Sequence, residues 1–242
     1  PIEICPINFK AFEELNRLTG NIEETLLLSK IKFHQTYTKL VKAGEPYIAR
    51  SRAEIISWFG FSDRKTDALL SSLNQKGFIK KIVGTFYGTK KLFLNVSNKI
   101  SHSPINLSLL DVLLKETGSL KAALIFAKIA FKCGNTQVVN SGISYCYLKK
   151  EALSTWAEIS IRKLDSILDG LCRKGLILKK NLISCGRRQT HFHIPQSALK
   201  VLKSLFVKEK LTQKEPLKHE SNKTKTPTVN CKICRVEPAK MQ

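Results

Sequence analysis

Residues 58–79, WFGFSDRKTDALLSSLNQKGFI, decide the fold, because a close copy returns 98 positions later at residues 156–177 as WAEISIRKLDSILDGLCRKGLI. At that one offset Trp58, Ser62, Arg64, Lys65, Asp67, Leu70, Leu73, Lys76, Gly77 and Ile79 meet Trp156, Ser160, Arg162, Lys163, Asp165, Leu168, Leu171, Lys174, Gly175 and Ile177. Self-similarity at a fixed period reads as a tandem duplication. Outward from the pair, Pro6-Ile7-Asn8 recurs as Pro104-Ile105-Asn106. The register then holds without insertion from 6–96 against 104–194, a span of 91 residues.

Within the first copy an apolar run (Ile55, Ile56, Trp58) leads to a turn at Gly60 and to Ser62, which can cap a helix. That helix carries an apolar stripe of Thr66, Leu69, Leu70 and Leu73 and closes at Gly77. Residues 78–96 are rich in β-branched and aromatic side chains and are interrupted at Gly84 and Gly88, which suggests a two-stranded hairpin. Helix, turn, helix and hairpin make a winged helix. The expected fold class is therefore mainly α with small β-hairpins (α+β): two tandem winged helix-turn-helix domains, a C-terminal helix and a disordered tail.

A helix that buries its Thr66, Leu69, Leu70, Leu73 stripe turns Arg64, Lys65, Ala68 and Ser71 outward; Arg162, Lys163, Ser166 and Asp169 hold those places in the second copy. The N-terminal end of such a helix is where base edges are read, with Arg suited to guanine and Lys or Ser to bases or phosphates. Asp63 and Ile161 differ beside the shared Arg-Lys pair, so the two half-sites need not match. Asp67 and Asp165 are expected to pair locally with Arg64 and Arg162, and Trp58 and Trp156 to pack in the core. The first wing carries Lys80, Lys81, Lys90 and Lys91, with Phe86 and Tyr87 near its tip. The second carries Lys179, Lys180 and the tip Gly186-Arg187-Arg188. Arginines on a hairpin tip suit a narrow minor groove.

Composition points the same way. Of 242 residues, 41 are Lys or Arg against 19 Asp or Glu, a formal charge of +22, which favours a polyanionic partner. With 43% hydrophobic residues the chain can bury a core in each of two small domains. Neither a signal peptide nor an apolar run of spanning length is present, so membrane insertion is not expected. Seven scattered cysteines fit a reducing, cytoplasmic and nucleoid-associated setting better than a disulfide scaffold. The chain begins with Pro1 rather than Met, and an N-terminal piece is expected to be removed or missing.

In chain order, Phe9, Phe12, Leu15 and Leu18 have helical spacing, repeated by Leu107, Leu110 and Leu113, and read as a lead-in core helix. Thr19-Gly20-Asn21 and Thr117-Gly118-Ser119 are stop-and-cap signals. After them Leu26, Leu27, Ile31 and Phe33 match Leu124, Ile125, Ile129 and Phe131 as the first helix of each domain. Residues 36–46 and 134–144 read as polar loops leading to Tyr47 and Tyr145, where a short strand can join the wing sheet. The expected boundaries are 1–98 and 104–195 for the domains and 99–103 for a short linker. They continue with 196–208 for an amphipathic helix (Ala198, Leu199, Val201, Leu202, Leu205, Phe206) and 209–242 for a basic disordered tail. The apolar face of that helix must cover the second domain or another copy of the chain, which makes a homodimer conceivable.

Three features suggest catalysis or metal. His191-Phe192-His193 is similar to the paired-histidine motif of nicking enzymes. No tyrosine follows it, however, and Phe192 and Ile194 fall in register with Leu94 and Val96 on the core face, leaving two exposed strand histidines. Cys231 and Cys234 make half a zinc site, with His219 nearby in sequence. No phosphate-binding glycine loop occurs. No catalytic residue, metal or cofactor is therefore expected.

On TGNIEETLLLSKIKF and FSDRKTDALLSSLNQKGFI, each copy resembles the winged-helix domains of replication initiators and regulators of plasmids, phages and integrative elements. The resemblance implies an opening helix and a recognition helix, double-stranded DNA as partner, and a role as transcriptional regulator or origin-binding initiator. No long interdomain helix is recognisable here. The alternative is a protein-interaction adaptor, which would show neutral or apolar outer faces instead of Arg64, Lys65, Arg162 and Lys163.

Overall fold

A computed structural model describes residues 7–98, 100, 105–135, 138–184 and 187–212. The chain is α+β, with helices around small antiparallel sheets. Its first half runs α1 (Phe9–Thr19), α2 (Ile22–Thr36), β1 (Val41–Lys42), β2 (Glu45–Pro46), β3 (Ile48–Arg50), α3 (Arg52–Ser57), α4 (Asp63–Gln75), β4 (Ile79–Phe86) and β5 (Thr89–Val96). The same order returns as α5 (Ser108–Thr117), α6 (Leu120–Asn135), β6 (Val138–Asn140), β7 (Ile143–Tyr147), α7 (Lys150–Trp156), α8 (Ile161–Arg173), β8 (Leu178–Ser184) and β9 (Arg187–His193), before α9 (Gln196–Thr212).

The helix ends follow from the sequence signals. Asn21 accepts from the backbone of Glu23 and Glu24 to start α2, Ser62 caps α4, and Ser160 caps α8. Gly77 takes a left-handed φ of 73°; its N–H reaches the Asn74 carbonyl while the Phe78 N–H reaches Leu73. Gly175 and Leu176 repeat this closure on Cys172 and Leu171.

Some sequence expectations are corrected. Residues 36–46 are not a plain loop: Thr36 ends α2, and β1 pairs with β2 around Ala43-Gly44, both at positive φ. In the second half the corresponding β6 pairs with β7, giving a sheet of order β6-β7-β9-β8 against β3-β5-β4 in the first. Gly84 does not interrupt its hairpin but sits inside β4 opposite Lys91; the turn is Tyr87-Gly88 alone. Leu18, expected in the core, is 54% exposed. Of the cysteines, Cys133 on α6 and Cys146 on β7 are joined as a disulfide, so the set is not wholly unpaired.

One core runs through both halves. Helices α2 and α6 form its centre: Ile22, Leu26, Leu27, Leu28 and Ile31 in one, and Ala123, Leu124, Ile125, Phe126, Ala127 and Ile129 in the other, are fully or almost fully buried. The lead-in helices cross between halves. Phe9 of α1 packs on Phe131 and Trp156, with ring centroids 5.1 and 6.0 Å away, and Phe12 also reaches Trp156. Glu13 of α1 pairs with Lys128 of α6, while Asp111 of α5 pairs with Lys30 of α2 at 2.6 Å. These two bridges map onto each other at the 98-residue offset, which is the reciprocal pattern of an isologous interface.

Most of the expected linker, 99 and 101–104, lies outside the described residues. Ile100 within it is buried and its carbonyl accepts from Lys32 Nζ at 2.5 Å. Helix α9 extends past 208 to Thr212. Its Ala198, Leu199 and Leu202 are buried and it packs on α5 of its own chain, while Val201 is 50% exposed. The rest of the expected tail, 213–242, with His219, Cys231 and Cys234, lies outside the described residues.

Candidate nucleic-acid interface

Helices α4 and α8 are held by equivalent contacts on every side but one. Thr66, Leu69, Leu70 and Leu73 bury the inner stripe of α4, as Leu164, Ile167, Leu168 and Leu171 bury that of α8. Asp67 pairs with Arg52 of α3, and Asp165 with Lys150 of α7 at 2.6 Å. The expected pairing of these aspartates with Arg64 and Arg162 is thus overturned. The aspartates face the preceding helix, where a cation stands at the matching position in each half. At its far end α4 is tied by Lys76, whose Nζ donates to the Thr19 carbonyl and to Glu24, both at 2.7 Å. Lys174 donates likewise to the Glu116 carbonyl.

The remaining side faces solvent. Arg64, Lys65 and Ala68 are exposed on α4, and Arg162, Lys163 and Ser166 on α8. Arg64, Arg162 and Lys163 form no hydrogen bond or ion pair with the described residues. Lys65 is engaged: its Nζ lies 2.6 Å from Glu23 and 5.3 Å from the Phe61 ring centroid. Ser71 is half-buried and accepts from Lys81 Nζ at 3.4 Å, and its counterpart Asp169 accepts from Lys179 at 2.7 Å. The Lys179 hydrogen bond holds the Asp169 carboxyl below its ordinary range and raises Lys179 in turn.

In the first hairpin Lys90 is exposed, whereas Lys91 reaches back to Glu54 at 3.2 Å and Lys80 to Glu45 at 2.5 Å. Burial pushes the Glu54 carboxyl up, but the Ser51 backbone N–H, the Ser51 hydroxyl and Lys91 outweigh it and hold the pKa at about 2. One carboxylate thus caps α3 and anchors the hairpin. In the second hairpin the backbones of Arg187 and Arg188 pair with Ser184 and Ile183. Their side chains, with Cys185 and Gly186, lie outside the described residues.

The histidines of β9 are not exposed. His191 is fully buried with Nδ1 3.0 Å from the Gln189 carbonyl, and His193 is half-buried with Nδ1 2.8 Å from the Ser144 carbonyl. The expected exposure of both is corrected accordingly: β7 pairs along the edge of β9, and Tyr147 and Tyr145 lie against the His191 and His193 rings. Among the described residues no cluster of three His, Cys, Asp or Glu could hold a metal ion, and no helix is long and apolar enough to cross a membrane.

A group of residues that the sequence reading missed joins the two helix-turn-helix elements to the opposite half. Glu158, in the turn before α8, accepts from the Ile22 backbone N–H at 3.0 Å and so caps α2 from across the interface. Beside it, and within its own half, Lys121 donates to the Ala157 carbonyl at 2.8 Å. Burial lowers its pKa, which Glu23 and Glu158 partly restore and Lys65 depresses further. The turn Phe59-Gly60-Phe61 faces residues 118–121 across a cleft of about 400 Å³. The repeat carried no signal for these contacts, since Glu158 and Lys121 align with Gly60 and Glu23; it did for the matched ion pairs, where Arg52 with Lys150, Glu13 with Asp111, and Lys30 with Lys128 keep their charge at the same offset.

No protein-family model matches the chain, and no curated protein is significantly similar to it.

Proposed function

We propose that the chain is a sequence-specific double-stranded DNA-binding protein built from two winged-helix units, acting without catalysis as a transcriptional regulator or as an origin-binding initiator of a mobile element. The observation that carries this reading is the pair of exposed arginines without a hydrogen-bond or ion-pair partner among the described residues, Arg64 and Arg162. Each sits one turn or less inside the capped N-terminus of a helix whose other sides are pinned. An arginine without an internal partner on a rigid helix end, in a chain of charge +22, is available for bidentate contact with guanine or with phosphate. The face is basic and polar, which disfavours the adaptor reading.

The packing of α3–α4 and α7–α8 on one continuous core supports a single spacing between the two proposed reading helices. Selection of bound duplexes from a random pool at physiological salt tests this, since non-specific affinity fades there while base contacts persist. Two enriched half-motifs at one spacing are expected, with binding lost when a few base pairs are inserted between them. Absence of enrichment removes sequence reading. Repeated copies of the motif near an origin favour the initiator over the regulator.

A further inference from the structure

The first hairpin carries a ring column whose residues are not repeated at the matching sequence positions of the second. At Gly84 a Cβ would come within 3.0 Å of Phe93 Cε2, so glycine is what lets the Phe93 ring lie against β4. Lys42 Nζ stands 3.4 Å from the Phe93 ring centroid. Phe86 meets Phe93 edge-on at 6.1 Å, and Tyr87 meets Phe86 at 4.4 Å with the planes at 61°. The column runs from the buried sheet to the tip and ends on a ring that is 91% exposed, the most exposed large apolar side chain among the described residues. The matching positions in the second copy are Leu182, His191, Asn140, Ser184 and Cys185.

Nothing in the fold requires Tyr87. It occupies the first position of a two-residue turn at a φ of 49°, where Asn, Asp or Gly is the unstrained choice. Lys90, three residues on along the strand that leaves the tip, is exposed, whereas Lys80 and Lys91 are already paired. An outward-facing aromatic ring at the tip of a hairpin that also carries an exposed lysine matches what a nucleic acid offers where its bases are open: a π face and, along the same strand, a phosphate. Apolar and aromatic wedges act in this way at unstacked steps of a duplex.

We propose that the tip of the first hairpin is a base-stacking site, in which Tyr87 lies against an unpaired or unstacked base while Lys90 holds the adjacent phosphate. This rests on the DNA-binding reading and adds to it a preference for opened duplex that the second hairpin does not share.

The test compares the full chain on two probes: a blunt duplex three helical turns long, and the same duplex with a central mismatched bubble carrying 2-aminopurine. The intact chain is expected to bind the bubble more tightly by on the order of tenfold and to quench the 2-aminopurine. Tyr87→Ala should lose both effects while binding the intact duplex as before, and Tyr87→Phe should keep both. Tyr87→Asn, which suits the turn, should fold at least as stably as the parent and still lose them. Retention of the bubble preference by Tyr87→Ala overturns the proposal, as does its equal loss in Tyr87→Phe. If neither probe is bound, the DNA-binding reading beneath it falls as well.

Discussion

His34 stacks on Trp58 at 5.0 Å with its Nε2 buried and without a hydrogen-bond partner in the protein. Burial first, then Arg50 and Lys30, pull its pKa from 6.5 down to about 4 against an upward pull from Glu54. The unfolded chain therefore takes up a proton near pH 6.5 that the folded chain refuses until about pH 4. Stability from this residue is full above pH 6.5 and is lost as the pH falls towards 4. Urea midpoints across that window should drop for the parent chain and stay flatter for His34→Gln; parallel curves would contradict the assignment. At the same scale, Arg64→Ala and Arg162→Ala should each cost about 1 to 3 kcal/mol of affinity for a selected site and relax one base position. Competition binding on single-base variants of that site checks it, and equal loss on every sequence would show phosphate contact instead. Arg64 and Arg162 were legible in the sequence because the repeat places them on the face opposite an apolar stripe. The partners of Asp67 and Asp165 were not. Arg52 lies 15 residues before Asp67, on a separate helix, and local spacing cannot reveal such a contact.

At the scale of elements, caps and closures were written locally and read correctly: Asn21, Ser62, Ser160, Gly77 and Gly175 all act within a few residues of themselves. Gly170 is different, since it lies inside α8 with a helical backbone and open space where a Cβ would stand. Gly170→Ala should raise stability by about 1 kcal/mol, seen as a higher denaturation midpoint with binding unchanged. The ion pair between Arg52 and Asp67 is nearly half exposed on both sides and contributes little energy; its effect is to fix the angle between α3 and α4. The hairpin turns show where local reading fails. Gly84 and Gly88 look alike as breakers, yet Gly88 makes the turn at a φ of 73° while Gly84 makes room for a ring two strand positions beyond its cross-strand neighbour Lys91.

The core is continuous through both halves, and α1 and α5 each pack on their own half while reaching the other through Phe9, Phe12, Glu13 and Asp111. Trp58 and Trp156, one in each half, are the only tryptophans and report on the two halves separately once either is replaced by Phe. Urea unfolding of Trp58→Phe and Trp156→Phe should give coincident transitions, since the core is continuous; two well-separated midpoints would mean independent halves. Phe9→Ala, which empties the contact with Phe131 and Trp156, should destabilise by about 3 to 5 kcal/mol and shift both reporters together. A shift in the Trp58 signal alone would confine α1 to its own half.

The sequence by itself determined the repeat, the order of the helices and of the closing hairpin in each half, the helix caps and the basic outer faces of α4 and α8. Periodicity, capping chemistry and charge are carried by residues near one another in the chain. Only the tertiary structure decided that α1 and α5 also touch the far half, that Glu158 caps α2 from there, that α9 packs on α5, and that His191 is buried while Tyr87 is not. Each of those depends on which surfaces meet across roughly a hundred residues of chain, and burial of apolar area is indifferent to sequence distance.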